Sequence, residues 1–339
     1  MKLIRLFWVM QRLRVTYVLV LFYSFGLIWS GHFYLSLANV LGALAIIFSY
    51  GSATSFNDLS DFEADKLNLK EAGDRPLANM AATKRDIIII GASSAMIALV
   101  CGFAASPYAG LFIVGAFLIN IGYSLPPLRV SYHAHLVPFY LTIGYVILPF
   151  LTGVAIWLTP SSWRGSYLLL LCLYLMFVAR INLKDFRDRV GDEAVGKPTM
   201  LVKHGKDFVI SLSMASLSAG VVVVCIATFT NVILTTAMII VYACVMYMLT
   251  KLRSVQKVQN EVSIIALGAR LGNIIVIVAL LPYLARQYPA PAGTLEVFAI
   301  ILSIVAIWQA YDYTRNPHRY HLTGGAKLQQ YPNKTAAKK

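Results

Sequence analysis

Asn57-Asp58-Leu59-Ser60-Asp61-Phe62-Glu63-Ala64-Asp65 places Asp58, Asp61 and Asp65 at i, i+3 and i+7, and Lys184-Asp185-Phe186-Arg187-Asp188-Arg189-Val190-Gly191-Asp192 repeats those intervals with Asp185, Asp188 and Asp192. On a helix this spacing sets all three carboxylates on one face. Ten of the chain's fifteen acidic residues lie within 58–74 or 185–193, so the acidity is gathered rather than spread over a solvated surface. Like charges at these intervals repel, whereas divalent cations held between two such faces neutralise both. Each stretch also begins where an apolar run stops, after Phe56 in one case and after Ile181 in the other. The expected architecture is therefore a set of membrane helices whose acidic ends meet at a metal site.

Working outward, the 339 residues are 58% hydrophobic and only 13% charged, with a mean hydropathy of +0.69. That balance excludes an ordinary soluble domain. Runs of about 20 apolar residues can cross a bilayer as helices, and ten appear, near 14–35, 37–56, 86–105, 108–125, 136–158, 165–182, 208–229, 231–250, 262–285 and 294–312. The fold class is all-α, a polytopic transmembrane bundle of nine to ten membrane helices with two cytoplasmic aspartate-rich motifs. Residues 1–13 form a basic interfacial N-terminus, 14–312 the membrane domain, and 313–339 a polar, basic tail expected to be disordered.

Basic residues accumulate in cytoplasmic loops. With the N-terminus inside, 26 of the 29 Lys and Arg residues fall on the cytoplasmic side, which puts both termini and both acidic stretches there. The net charge of +14 borders membrane segments rather than forming one soluble basic face, so the expected partners are membrane lipids and phosphate-bearing substrates, not nucleic acid. Cys101, Cys172, Cys225 and Cys244 sit in apolar runs without metal-ligand spacing and read as packing residues.

Several basic and aromatic side chains border the acidic stretches. Arg75 precedes Pro76, which disfavours helix at Arg75, so its guanidinium is expected to project from a loop over the carboxylates, where it can bond phosphate oxygens in bidentate fashion. Pro126 and Pro127 end the fourth run and place Tyr123 and Arg129 at the mouth of the site. His133 and His135 follow, a short pair without a third ligand, and are read as solvated loop residues rather than a zinc site. Arg270 lies about eight residues, roughly 12 Å of helix, inside its run and is a candidate for the substrate phosphate. Each acidic stretch is followed by a base joined to proline, Arg75-Pro76 and Lys197-Pro198, which suggests an internal duplication.

All these ligands are oxygens, which suits Mg²⁺ better than zinc. Two such ions on a diphosphate would make it a good leaving group by absorbing its developing charge. The sequence resembles the UbiA family of intramembrane prenyltransferases, through Asn57-Asp58-x-x-Asp61-x-x-x-Asp65, Arg75-Pro76-Leu77, Tyr123-Ser124-x-Pro126-Pro127-x-Arg129 and Lys184-Asp185-x-x-Asp188-x-x-x-Asp192, over about residues 10–285. The resemblance implies that Asn57, Asp58, Asp61 and Asp65 bind one part of a Mg²⁺–prenyl diphosphate and Asp185, Asp188 and Asp192 the other, with Arg75, Arg129 and Lys184 on the diphosphate. It implies transfer of the prenyl group to an acceptor, an aromatic ring first and a sugar phosphate or another lipid as the alternative. A cation-coupled transporter would instead place acidic residues near the bilayer midplane, and the six motif aspartates stand at the ends of apolar runs.

Overall fold

The computed structural model describes residues 2–68, 75–158, 166–228, 232–256 and 258–275, with scattered positions between 297 and 311. The N-terminal helix α1 (Lys2–Met10) buries Leu6 and Met10 and exposes Ile4 and Trp8, as a helix lying along an interface does. The chain then breaks at Arg12, which adopts a left-handed φ of 44°, and enters α2 (Leu13–Trp29). Helix α3 (Leu37–Ser60) starts at Ser36, whose hydroxyl accepts the Asn39 amide, one of the orphan donors of a helix start. It is followed by the short α4 (Phe62–Asn68).

Thr83 and Asp86 form a reciprocal capping box at the start of α5 (Lys84–Ala105). Helix α6 (Pro107–Ser124) begins on a proline, which tolerates a first helical position, and stops before Pro126-Pro127. After a 3-10 turn at Val130–Tyr132 come α7 (Val137–Thr142), a π-helical turn at Ile143–Ile147 and α8 (Leu148–Ile156). Then follow α9 (Ser166–Ile181), α10 (Asp185–Ala194), α11 (Met200–Thr228), α12 (Val232–Ser254) and α13 (Val258–Ile275). Gly205, at φ 80°, kinks α11, a conformation that costs glycine little.

The main packing pairs are α3 with α5, α9 with α11, α2 with α8, and the two short acidic helices α4 and α10 with each other. Helices α2 and α8 cross where Gly26 faces Gly153: a Cβ on Gly26 would stand 2.1 Å from the Phe150 carbonyl oxygen, and one on Gly153 2.2 Å from that of Tyr23. Small residues let backbones approach in this way inside membranes. Leu111, Leu118, Val222, Ile226, Ile239 and Ile240 are exposed on the outside of the bundle, as lipid-facing side chains must be. Among the described residues five helices are long and apolar enough to cross a bilayer, or up to seven if α1–α2 and α9–α10, bent by 56° and 49°, are each one span. The last two expected runs, 262–285 and 294–312, fall partly outside the described residues, and the tail 313–339 wholly so.

Candidate active site at the facing acidic helices

The two aspartate stretches have the same spacing but not the same shape. Asp58 lies in the last turn of α3, Asp61 is its C-terminal cap, and Asp65 belongs to α4, so the first stretch spans a break and not the single helix that its spacing suggests. Local side-chain bonds accompany that break: Ser60 Oγ donates to the Asn57 carbonyl at 3.1 Å and Asn57 Nδ2 to Asp61 Oδ2 at 3.0 Å, in competition with the helical ladder. In the second stretch the break precedes the motif, at 182–184, and Asp185, Asp188 and Asp192 share α10. Asp185 and Asp188 occupy its first turn, where the helix dipole favours negative charge.

Five cations meet these carboxylates. Asp58, 2% exposed, takes Arg12 Nη2 at 2.5 Å and Arg75 Nη1 on one oxygen, Oδ1. Arg75 also reaches Asp65 Oδ2 at 2.9 Å. Lys184 donates to Asp185 Oδ1 at 2.6 Å and to the Tyr123 hydroxyl at 3.4 Å. Arg187 forks onto both oxygens of Asp188 at 2.7 and 3.0 Å. Lys197 joins the two stretches, 2.8 Å from Asp61 Oδ2 and 3.8 Å from Asp192 Oδ1.

Burial pushes the carboxyl of Asp65 up to about 7, against the pull of Arg75. Burial likewise raises Asp192, on α10 beyond the bend, to about 7 against the pull of Lys197. For Asp188 burial acts upward too, but the Arg187 guanidinium prevails and holds it at about 2.

Of the residues expected from sequence, the structure brings Asn57, all six aspartates, Arg75, Lys184 and Tyr123 to this one end of the bundle. Arg129 is placed otherwise: it takes a left-handed φ of 36° and lies 4.0 Å over the Tyr132 ring, with no ion pair to either motif among the described contacts. The Arg270 side chain lies outside the described residues. Sequence reasoning missed Arg12, which read as an interfacial charge, and it left Lys197 as a mere echo of Arg75-Pro76. It also missed Glu261 at the start of α13, 2% exposed, which takes Lys206 of α11 at 2.7 Å and Arg189 of α10 at 3.6 Å. That pairing accounts for one of the two arginines set among the second set of carboxylates.

On the apolar side stand aromatic rings from three elements. The Tyr50 ring of α3 meets Tyr145 of the π turn edge-on at 5.7 Å, with hydroxyls 3.3 Å apart, and Tyr145 stacks on Phe177 of α9 at 5.5 Å.

The donor chemistry fits a hard divalent cation. All six motif side chains offer oxygens, and Asp58 Oδ2 is buried without a hydrogen-bond partner among the described residues. In the arrangement described, the carboxylates are drawn onto Arg and Lys, and no three His, Cys, Asp or Glu side chains converge at metal-ligand distance among the described residues.

Fold and site together define an integral membrane helical bundle that gathers opposed carboxylates and cations at one polar end of its apolar helices. The chain belongs to the UbiA prenyltransferase family, which residues 18–274 match. It is 31% identical over 156 residues to a digeranylgeranylglyceryl phosphate synthase of Thermococcus sibiricus, covering 44% of this chain and 50% of that protein. It is 28% identical over 174 residues to one of Pyrococcus horikoshii, covering 49% and 57%. The chain thus spans about half the length of the curated relatives it matches.

Solved structures share the fold. One of a digeranylgeranylglyceryl phosphate synthase in membranes superposes with a TM-score of 0.61 at 18% identity, covering 83% of this chain and 98% of that one. A UbiA homologue from Archaeoglobus fulgidus bound to GPP and Mg²⁺ gives 0.54 at 14% identity, covering 92% and 98%. The apo form of a UbiA homologue from Aeropyrum pernix K1 gives 0.60 at 16%, covering 80% and 97%.

Proposed function

We propose that this chain is a Mg²⁺-dependent intramembrane prenyltransferase that moves a prenyl group from its diphosphate to a glyceryl phosphate lipid, with the site on the cytoplasmic face. The observation that carries it is the meeting of α4 and α10, six aspartates interleaved with Arg12, Arg75, Lys184, Arg187 and Lys197 at the polar end of an apolar bundle. The relatives named for digeranylgeranylglyceryl phosphate favour a glyceryl phosphate acceptor over the aromatic ring first expected from the sequence.

Asp58, Asp61 and Asp65 would hold one Mg²⁺ and Asp185, Asp188 and Asp192 a second, a reading that rests on the oxygen-only donor set, while the Mg²⁺ in the Archaeoglobus homologue supports the choice of metal. Bound there, Mg²⁺ draws off the charge that builds on the departing diphosphate. Arg75 and Lys197 supply N–H donors to its oxygens, and such charge-assisted bonds strengthen as the oxygens gain charge. Both cations are almost wholly buried, so water competes little for them. Tyr50, Tyr145 and Phe177 cluster on the apolar side, where aromatic rings would steady the cationic allylic carbon and keep it from water. Tyr123 and Asn57 position Lys184 and Asp61 through their hydrogen bonds.

The test is direct. Purified protein is incubated with prenyl diphosphates of graded length, with and without Mg²⁺, against geranylgeranylglyceryl phosphate and against hydroxybenzoate and naphthoate acceptors. Mg²⁺-dependent diphosphate release with prenylated glyceryl phosphate in the mass spectrum is the expected result. Transfer to the aromatic acceptors alone overturns the acceptor, and absence of any transfer overturns the activity.

A further inference from the structure

We infer that His135 and His204 form a binding site for a first-row transition metal ion, separate from the carboxylate cluster. In sequence His133 and His135 lack a third imidazole nearby, but the fold supplies one from 69 positions further along the chain. His135, in the connection between α6 and α7, meets His204, which stands immediately before the Gly205 kink of α11, with Nε2 atoms 3.2 Å apart. The rings are 4.7 Å apart at centroid and inclined by 52°, so the two nitrogens converge while the rings splay.

Two imidazole nitrogens each about 2.0–2.1 Å from one tetrahedral ion stand roughly 3.3 Å from each other, which matches the separation seen. The same distance accommodates one shared proton between neutral rings, and an ion in its place needs only a small turn of the two solvent-accessible rings. The chemistry of the pair differs from that of the aspartates: imidazole suits Zn²⁺, Cu²⁺, Ni²⁺ and Co²⁺, whereas carboxylate oxygens suit Mg²⁺. His135 is exposed and His204 partly so, which lets an ion arrive from water and leaves room for water in its remaining positions. The Phe208 ring packs 4.8 Å from that of His204 and holds its orientation, the role a supporting shell plays around metal ligands.

No third His, Cys, Asp or Glu joins the pair among the described residues. The site is therefore an open one of moderate affinity rather than a closed structural zinc centre. His133 and Lys203 line the recess beside it together with Tyr132 and Pro198. An ion on the pair cross-links the α6–α7 connection to the segment that follows Lys197-Pro198, so occupancy stiffens the chain next to the cation that joins the two aspartate stretches.

The test uses full-length, tag-free protein in detergent with excess Mg²⁺ to occupy the oxygen ligands. Calorimetric titration with Zn²⁺ is expected to show one site of micromolar affinity. His135→Ala and His204→Ala each weaken it by about tenfold or more, while His133→Ala and Asp185→Asn leave it unchanged. With Cu²⁺, the electron paramagnetic resonance spectrum shows coupling to two imidazole nitrogens, reduced to one in either single variant. Unchanged affinity in His204→Ala, or a loss in His133→Ala equal to it, overturns the assignment. Absence of Zn²⁺ binding in the wild type reduces the pair to a hydrogen bond between imidazoles and overturns it as well. Because Asp185→Asn spares the pair, failure here is distinguishable from failure of the transferase reading.

Discussion

The first and second aspartate stretches share their intervals and differ in almost everything those intervals were expected to determine. The first is folded across the α3–α4 break and neutralised by two guanidiniums converging on a single buried oxygen of Asp58. The second rides on one helix, and its charges are met by neighbours in its own sequence: Lys184 beside Asp185, and Arg187 beside Asp188. The lesson is that spacing sets which carboxylates can share a site, while the position of the helix break sets who neutralises them. A motif split by a break can accept partners from distant segments. One carried on a single short helix brings its own.

The largest effect that sharpens this contrast is on Asp58 against Asp185. On the proposed function, both Asp58→Asn and Asp185→Asn are expected to cut diphosphate release by at least about 10³-fold, since each removes a proposed ligand of the Mg²⁺ that holds the diphosphate. They should part company in thermal melts. Asp58→Asn leaves two nearly buried guanidiniums short of their carboxylate, at a cost of about 3–5 kcal/mol for breaking a buried pair. Asp185→Asn frees a Lys184 that is 31% exposed and shifts the melt little. Equal shifts would erase the distinction between the stretches.

Next comes the tie between them. Lys197→Met is expected to lower kcat/KM for the prenyl diphosphate by about 10²–10³, the loss typical of one preorganised donor, and Lys197→Arg to restore part of it. If Lys197→Met matches wild type, the two stretches act without a shared cation.

A smaller effect follows pH. Asp65 and Asp192, one from each stretch, both titrate near 7 when folded, above the ordinary aspartate value of 3.8. A carboxyl raised in the folded state adds stability below its unfolded value and loses it as pH rises through the folded one. Metal-free protein should therefore lose melting temperature between about pH 4 and 7, and Asp65→Asn or Asp192→Asn should each flatten that slope. Mg²⁺ affinity should climb over the same interval, because the ion needs the deprotonated form. A melt that rises with pH across this window contradicts the burial of both carboxyls.

Smallest is Arg129→Ala. Its guanidinium stacks on Tyr132 rather than joining either stretch, so the expected change in donor KM is about two- to fivefold, the scale of one solvent-accessible cation–π contact. A loss comparable to that of Lys197→Met would return Arg129 to the site.

Much of the fold was legible because the bilayer imposes one signal, long apolar runs, and the acidic residues interrupt that signal at few places. Arg75 could be anticipated because Pro76 forbids it a helix. Arg12 could not: its approach to Asp58 depends on a left-handed residue between two helices, and a non-glycine residue there carries no local signature. The break at Asp61 was hidden for a related reason, since Asn57 and Ser60 read equally well as helix interior or as helix end. Glu261 and His204 were invisible because their partners lie on other segments, brought close only by packing.

Lys197 also bears on how the protein is made. Asp58 has Arg12 behind it and Arg75 soon after it, so the first stretch can settle its central charge while the chain is still short. Among the described residues Asp61 pairs with Lys197, 136 residues later. A nascent chain therefore inserts several helices before Lys197 can reach Asp61, and α4 can pack on α10 only after that helix has left the ribosome. The order of synthesis thus keeps the two halves of the site apart until α10 and Lys197 have been made.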